Sequence, residues 1–257
     1  MKTENSKTIV FLSGAFLSHA IWDDWQHYFK SKGYTIHAPW WPHKDAPPVV
    51  LVRKHPDPEL GVLRLDGLIH YFESYLKKLP EKPIVIGEGL AGALVQLLAQ
   101  KQLIAAGVLI NTWPANGFLP TRREPLALFF NMLGSLRLRS SYLMDFDQWD
   151  HLTQDQPDGY RKCYRYVIPE SRKLIWDMLF GRRIHYNKVM VPLLFIATEN
   201  PMVSATSQYK IFRRYVFKNP RNTYKSFPDT EFPSAVCRLQ EDIAEYINLW
   251  LSDITRD

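Results

Sequence analysis

The chain has 257 residues, enough for one domain, or one domain with an inserted subdomain, around a large core. Apolar content of 46% and aromatic content of 14% suit a compact globule, and Cys163 and Cys237 are too few for a disulfide framework or a zinc site. No apolar run approaches the roughly 20 residues of a membrane span. The opening stretch MKTENSK is polar and lacks the apolar segment of a signal peptide, so a cytoplasmic location with reduced thiols is expected. The net charge of +6 is unevenly spread, with twelve Lys/Arg against eight Asp/Glu between Trp113 and Met190. That excess reads either as a solvated helical surface or as attraction for an anionic ligand or an acidic partner protein. No nucleic-acid motif accompanies it, so a nucleic-acid partner is not expected.

In chain order, KTIVFLSGAF reads as a strand ending near Ser13, and IWDDWQHYFKSKGY as a helix closed by Gly33. YTIHAPWWP is a second strand stopped by prolines. The proline-rich stretch HKDAPPVVLVRKHPDPEL reads as a loop leading to a helix over about 62–79. KPIVIGEG is a third strand and LAGALVQLLAQKQ its helix. AAGVLINT, VPLLFIAT and NTYKSF give three more strands, and a last helix is predicted over about 237–252. Strands that are nearly all apolar and alternate with helices specify an α/β fold, a mostly parallel sheet covered by helices on both faces. From Trp113 to Met190 only helix-like aromatic segments appear, such as LALFFNMLGSLRLR and PESRKLIWDMLFGRR. They predict a helical cap, residues 113–190, inserted into a core formed by 1–112 and 191–257. Its aromatics, Phe129, Phe130, Tyr142, Trp149, Tyr164, Tyr166 and Trp176, read as cap core before ligand box.

Three stretches carry a resemblance: FLSGAF after the first strand, GEGLAG between a strand and a helix, and NTWPANGFLP at the entrance to the insertion. Together they make the chain similar, over essentially its whole length, to the α/β-hydrolase superfamily, in particular to small bacterial hydrolases with a GHSxGG elbow. The resemblance implies a Ser nucleophile on the elbow, then an acid, then a His, in that chain order. Here the elbow serine falls on Gly89, between Gly87 and the pair Ala91 and Gly92. The acid, expected after the strand at 191–198, falls on Asn200 beside Glu199, and the histidine, expected before the final helix, falls on Glu231. The last histidine of the chain is His185, so that region holds none. Ordinary serine-hydrolase chemistry is therefore not expected. Cys163 and Cys237 sit at no exposing turn, and packing is their expected role.

What the resemblance leaves is a pocket with dipoles. The amide of Leu90 at a helix start, with that of Ala15 or Phe16 in the SGAF loop, would form an oxyanion hole. Ser13, at the place of the common loop histidine, with Trp113 and Asn200, would line a substrate site. Glu231 and Glu88 are the candidate catalytic residues, because a carboxyl desolvated under an apolar cap acts as a general acid or base near neutral pH. His19 and His43 are reserve candidates. No HxxxH or HxH pair suggests a metal, the insertion and the order of strands argue against a dinucleotide fold despite the glycines of GEGLAG, and no cofactor is called for. The expected function is a non-hydrolytic enzyme of cyclase, lyase or isomerase type acting on a hydrophobic or anionic small molecule, with natural-product biosynthesis as a setting by analogy. The alternatives are an inactive homologue that binds a small molecule or a partner, and a hydrolase with unrecognised catalytic residues.

Overall fold

The computed structural model describes residues 6–117, 126, 130–131, 140–152, 163–200, 203–231 and 237–255. Six parallel strands form one sheet: β1 (Thr8–Leu12), β2 (Thr35–His37), β3 (Ile84–Glu88), β4 (Ala106–Ile110), β7 (Leu193–Glu199) and β8 (Thr223–Glu231), in the order β2-β1-β3-β4-β7-β8. Every residue of β1, β3 and β4 is buried, which explains their uninterrupted apolar sequence. The order reverses between β1 and β3, because β2 lies on one side of β1 and every later strand on the other. The carboxyl ends of β1 and β3 thus flank a topological switch point, the crevice where open α/β sheets take their ligands.

Helices α1 (Asp23–Ser31), α4 (Leu65–Leu76), α5 (Leu90–Gln100), α8 (Ala205–Phe212) and α9 (Glu241–Ile254) pack around this sheet. Helix α5 is buried from Leu90 through Ala99 and lies on β3 and β4, so it carries no polar face. In α9 the buried Ile243, Ala244, Ile247, Trp250, Leu251 and Ile254 recur at three- and four-residue spacing, and the helix meets α1. Its start at Glu241 is four residues later than the sequence pattern predicts.

The proline-rich stretch is not a bare loop. It holds α2 (Pro48–Lys54) and the single turn α3 (Pro58–Gly61), each with proline in the first turn, where its missing N–H costs nothing. Asp57 caps α3 by accepting from the amides of Glu59 and Leu60 at 2.9 and 3.2 Å. Between β4 and β7 the described residues include α6 (Phe146–Leu152) and α7 (Arg172–Phe180), but also two strands, β5 (Ser141–Tyr142) and β6 (Glu170–Ser171), paired antiparallel. The expectation of helices alone there is corrected: strands of two residues are too short to show a period. Most of LALFFNMLGSLRLR (126–139) lies outside the described residues. No described helix is long and apolar enough to cross a membrane.

Candidate active site

The turn after β3 is the geometric centre of the site. Gly89 takes φ 55° and ψ −116° and opens α5. An L side chain is strained in this region, and a nucleophile elbow accepts that strain to thrust its side chain out. The Gly89 amide donates to the Ile110 carbonyl at 2.9 Å, and the Gly89 carbonyl accepts from the Trp113 amide at 2.9 Å, so the turn is fastened to the end of β4. A Cβ on Gly89 would meet only the Trp113 indole Nε1, at 3.6 Å. The turn has kept its shape and has room for a side chain, but carries none. Its neighbours must stay small: a Cβ on Gly87 would stand 2.7 Å from the Ala91 carbonyl oxygen, and one on Gly92 2.6 Å from Thr112 Cβ.

Leu90 is the first residue of α5, so its amide has no intrahelical partner and carries the positive end of the helix dipole. Of the two amides predicted to join it, only one is available. The Phe16 amide already donates to Glu170 Oε2 at 3.2 Å. Among the described residues no hydrogen bond engages the amide of Ala15 or of Leu90. Of the three amides, that of Phe16 is thus engaged, and those of Ala15 and Leu90 are not, among the described residues.

Glu170 and Lys44 were not legible as site residues. Lys44 Nζ stands 2.5 Å from Glu170 Oε2, and both side chains are buried. Lys44 also lies over the Trp41 ring, 4.2 Å from its centroid, and Glu170 Oε1 accepts from the Ser171 amide at 2.8 Å. Burial holds the Lys44 ammonium below its usual pKa, against the opposing pull of Glu170. The pair joins three segments: the loop after β1, the loop after β2, and the insertion. Backbone bonds from Ile168 to the Phe16 carbonyl (2.8 Å) and from Ser18 to the Tyr166 carbonyl (2.9 Å) complete the tie. The only local sequence signal was a lysine set in the aromatic, proline-rich run WWPHKDAPP.

Glu88, the last residue of β3, is buried and its carboxyl lies against Gly14, where any Cβ would collide with it. No hydrogen bond reaches this carboxyl among the described residues, and burial alone raises its pKa to about 8. It is therefore mostly protonated at neutral pH, one residue from the turn and beneath the loop that presents the Ala15 amide. Backbone strain gathers around the same end of the sheet. Phe16, His43 and Asn111, after β1, β2 and β4, all have positive φ (63°, 63° and 48°). Asn111 is fully buried and braces the end of β7: its Oδ1 accepts from the Thr198 amide and Gln208 Nε2, both at 2.9 Å.

A family model described as the alpha/beta hydrolase family matches residues 9–235. The chain belongs to the alpha/beta hydrolase family. No curated protein matches it by sequence. Among solved structures it is similar to a pyrethroid hydrolase (17% identity, 98% of this chain and 100% of that one, TM-score 0.69). It is likewise similar to an extracellular alpha/beta-hydrolase from a Paenibacillus species (14% identity, 97% and 99%, TM-score 0.69). A methylesterase from Arabidopsis aligns with 15% identity over 96% and 99% at TM-score 0.67. At such identities the likeness shows the fold.

Within this alpha/beta hydrolase the remaining predicted residues separate into those at the switch-point end and those turned elsewhere. Ser13 is buried immediately after β1, and Trp113 is buried beside Gly89. Asn200 is buried just past β7 and its Oδ1 accepts from the Val203 amide at 3.1 Å, a cap on its own turn. Glu231 is not in a loop ahead of the last helix: it is the final residue of β8, in register with Glu199, after an irregularity in the pairing that takes in Pro228. Proline, lacking an N–H, suits such an irregularity in an outermost strand. The backbone thus brings Glu231 to the same sheet end as Glu88 and Gly89, while its side chain is outside what is described. His43 faces Glu59 at 3.7 Å with more than a third of its side chain exposed. His19 packs at a tilt against Trp40, ring centroids 3.7 Å apart, and burial lowers its pKa. Both cysteines are free and buried, and burial, ahead of the neighbouring Cys163, pushes the Cys237 thiol far above the usual range, the opposite of an activated nucleophile.

Proposed function

We propose that this member of the alpha/beta hydrolase family is a non-hydrolytic enzyme: it holds the carbonyl of a hydrophobic or anionic small molecule and transfers a proton next to it, in a cyclase, lyase or isomerase reaction. The observation that carries the reading is the pairing of an intact elbow without a nucleophile at Gly89 with two unengaged amides, Ala15 and Leu90, and the protonated Glu88 carboxyl beside them. On this reading Gly89, Asn200 and Glu231 stand at the three family triad positions. Hydrolysis would need an attacking oxygen and an imidazole to take its proton, and neither residue type stands at those positions. Enolisation needs less. Two amides stabilise the developing enolate oxygen while the ionised fraction of a carboxyl takes the carbon-bound proton and its protonated form returns it, and no acyl intermediate forms. Residues 113–190 serve as the cap over this pocket, locked to the loop after β2 by the Lys44–Glu170 pair and to the loop after β1 by the Phe16 amide on Glu170. Glu231 is the second proton carrier, placed by the backbone at the same sheet end. The chain's expected setting is the cytoplasm, in specialised metabolism.

A second reading, a binder without turnover, is favoured by one observation: the Glu88 carboxyl is walled by Gly14, so a ligand could rest on the amides without reaching it. Deuterium exchange separates the two. The protein is incubated in D2O with a panel of enolisable ketones and β-keto acids, and exchange at the α-carbon is followed by NMR. Enzyme-dependent exchange that falls roughly 10²–10⁴-fold in Glu88→Gln supports the enzyme and assigns the proton carrier. Exchange lost instead in Glu231→Gln moves that role to Glu231. Saturable binding with no exchange by the wild type establishes the binder.

A further inference from the structure

A basic cleft lies away from the elbow. The run Arg183, Ile184, His185, Tyr186, Asn187 and Lys188, with Arg214 and Lys218 from the turns after α8, lines an open groove of about 660 Å³. The His185 amide donates to Gln100 Oε1, at 2.8 Å. Gln100 ends the helix that Gly89 begins, which separates cleft and elbow by about 16 Å along α5 at 1.5 Å per residue. Five of the eight lining residues are basic and none is acidic.

The charges are also uncompensated. Several cations elsewhere on the surface are matched: Arg182 to Asp66, Lys77 and Lys101 to Glu73, Lys54 to Asp57. Among the described residues no carboxylate pairs with Arg183, Lys188, Arg214 or Lys218. Two of them, Arg214 and Lys218, are steadied by neutral acceptors instead. Arg214 Nη1 donates to the Tyr186 hydroxyl at 2.9 Å and to Asn116 Oδ1 at 3.4 Å, and Lys218 Nζ donates to Asn187 Oδ1 at 2.5 Å. Tyr186 is itself anchored, edge-on to the fully buried Tyr215 at 5.1 Å. Neutral partners orient a cation without cancelling its field. The free edge of the Arg214 guanidinium keeps the fork that grips a phosphate, and the Lys218 ammonium keeps further donors. Like charges gathered this closely repel, and a multiply charged anion relieves that repulsion.

We infer that this cleft is a binding site for a small phosphate-bearing ligand, with Arg214 and Lys218 as its principal contacts and Tyr186 as the wall for the organic part. The site is separate from the elbow and holds whichever reading of the elbow is correct. Titration calorimetry at low salt with pyrophosphate as the probe tests it. Three proteins are compared: wild type, Arg214→Gln/Lys218→Gln, and Lys30→Gln/Lys78→Gln, which removes the same two charges from the exposed surface elsewhere. The expected result is saturable one-to-one binding by the wild type, weakened roughly tenfold or more in the cleft variant and less than about twofold in the control. Equal loss in both variants would reduce the effect to net charge and overturn the site, as would absence of saturable binding. Binding of poly-glutamate without binding of pyrophosphate would overturn it in favour of an acidic protein partner.

Discussion

Glu88 shows how one residue's environment converts to a measurable property. Its carboxyl has no hydrogen-bond partner among the described residues, so burial acts alone and lifts the folded pKa from 4.5 to about 8. Between those two values the folded chain holds a proton that the unfolded chain has lost. Stability from this group is therefore greatest below about pH 4.5, declines as pH rises, and levels off above about pH 8. The full decline is on the order of 5 kcal/mol. Glu88→Gln keeps the shape and cannot ionise, so its stability relative to wild type should rise by several kcal/mol between pH 5 and pH 9, read by urea denaturation at each pH. A difference that stays constant with pH would show that the carboxyl is not desolvated in the folded state. The sequence pointed to Glu88 through its place in GEGLAG, but could not tell that Gly14 closes over it. The same limit hid Glu170: it and Lys44 lie 126 residues apart and meet only in the folded chain. It also decided between Ala15 and Phe16, equal candidates by position until Glu170 claimed one amide.

At the scale of elements, the turn from β3 into α5 depends on close approach more than on local propensity. The Gly87 Cα faces Ala91 and Val95 so closely that a methyl group would stand 2.8 Å from the Ala91 carbonyl carbon and 2.9 Å from Val95 Cγ2. Gly87→Ala should therefore cost about 1–3 kcal/mol, the usual effect of overpacking, and lower the melting temperature by several degrees. An unchanged melting temperature would mean that strand and helix are less tightly apposed than described. The strands were legible because a parallel sheet buried on both faces needs continuous apolar runs, as in TIVFL and AGVLI. The elements the sequence hid have equally physical reasons. Proline began α2 and α3 where it was read as a breaker. In α8, Ser204 caps the helix by accepting from the Ser207 amide at 3.2 Å, a start signal masked by the polar run that follows β7. Pro228 broke the apparent end of β8, which placed Glu231 in a loop when it is a strand residue.

Across the whole molecule, the fold was readable from alternation and the family from a few motifs, whereas the chemistry depends on contacts that join distant segments. The loop after β1, the loop after β2 and the insertion meet at a buried ion pair, and the unengaged Ala15 amide is next in the chain to the Phe16 amide that this junction holds. On the proposed function, this frame keeps the elbow of a hydrolase without its attacking group. Intact-mass spectrometry after incubation with a fluorophosphonate tests it most directly, on the wild type and on Gly89→Ser side by side. The restored serine has room, with only Trp113 Nε1 at 3.6 Å, but it would lack an imidazole to activate it. The expected result is an unchanged mass for both proteins, with no hydrolysis of p-nitrophenyl acetate above the uncatalysed rate. Stoichiometric addition of one phosphonyl group to the wild type would reveal an activated nucleophile elsewhere in the chain and contradict the account.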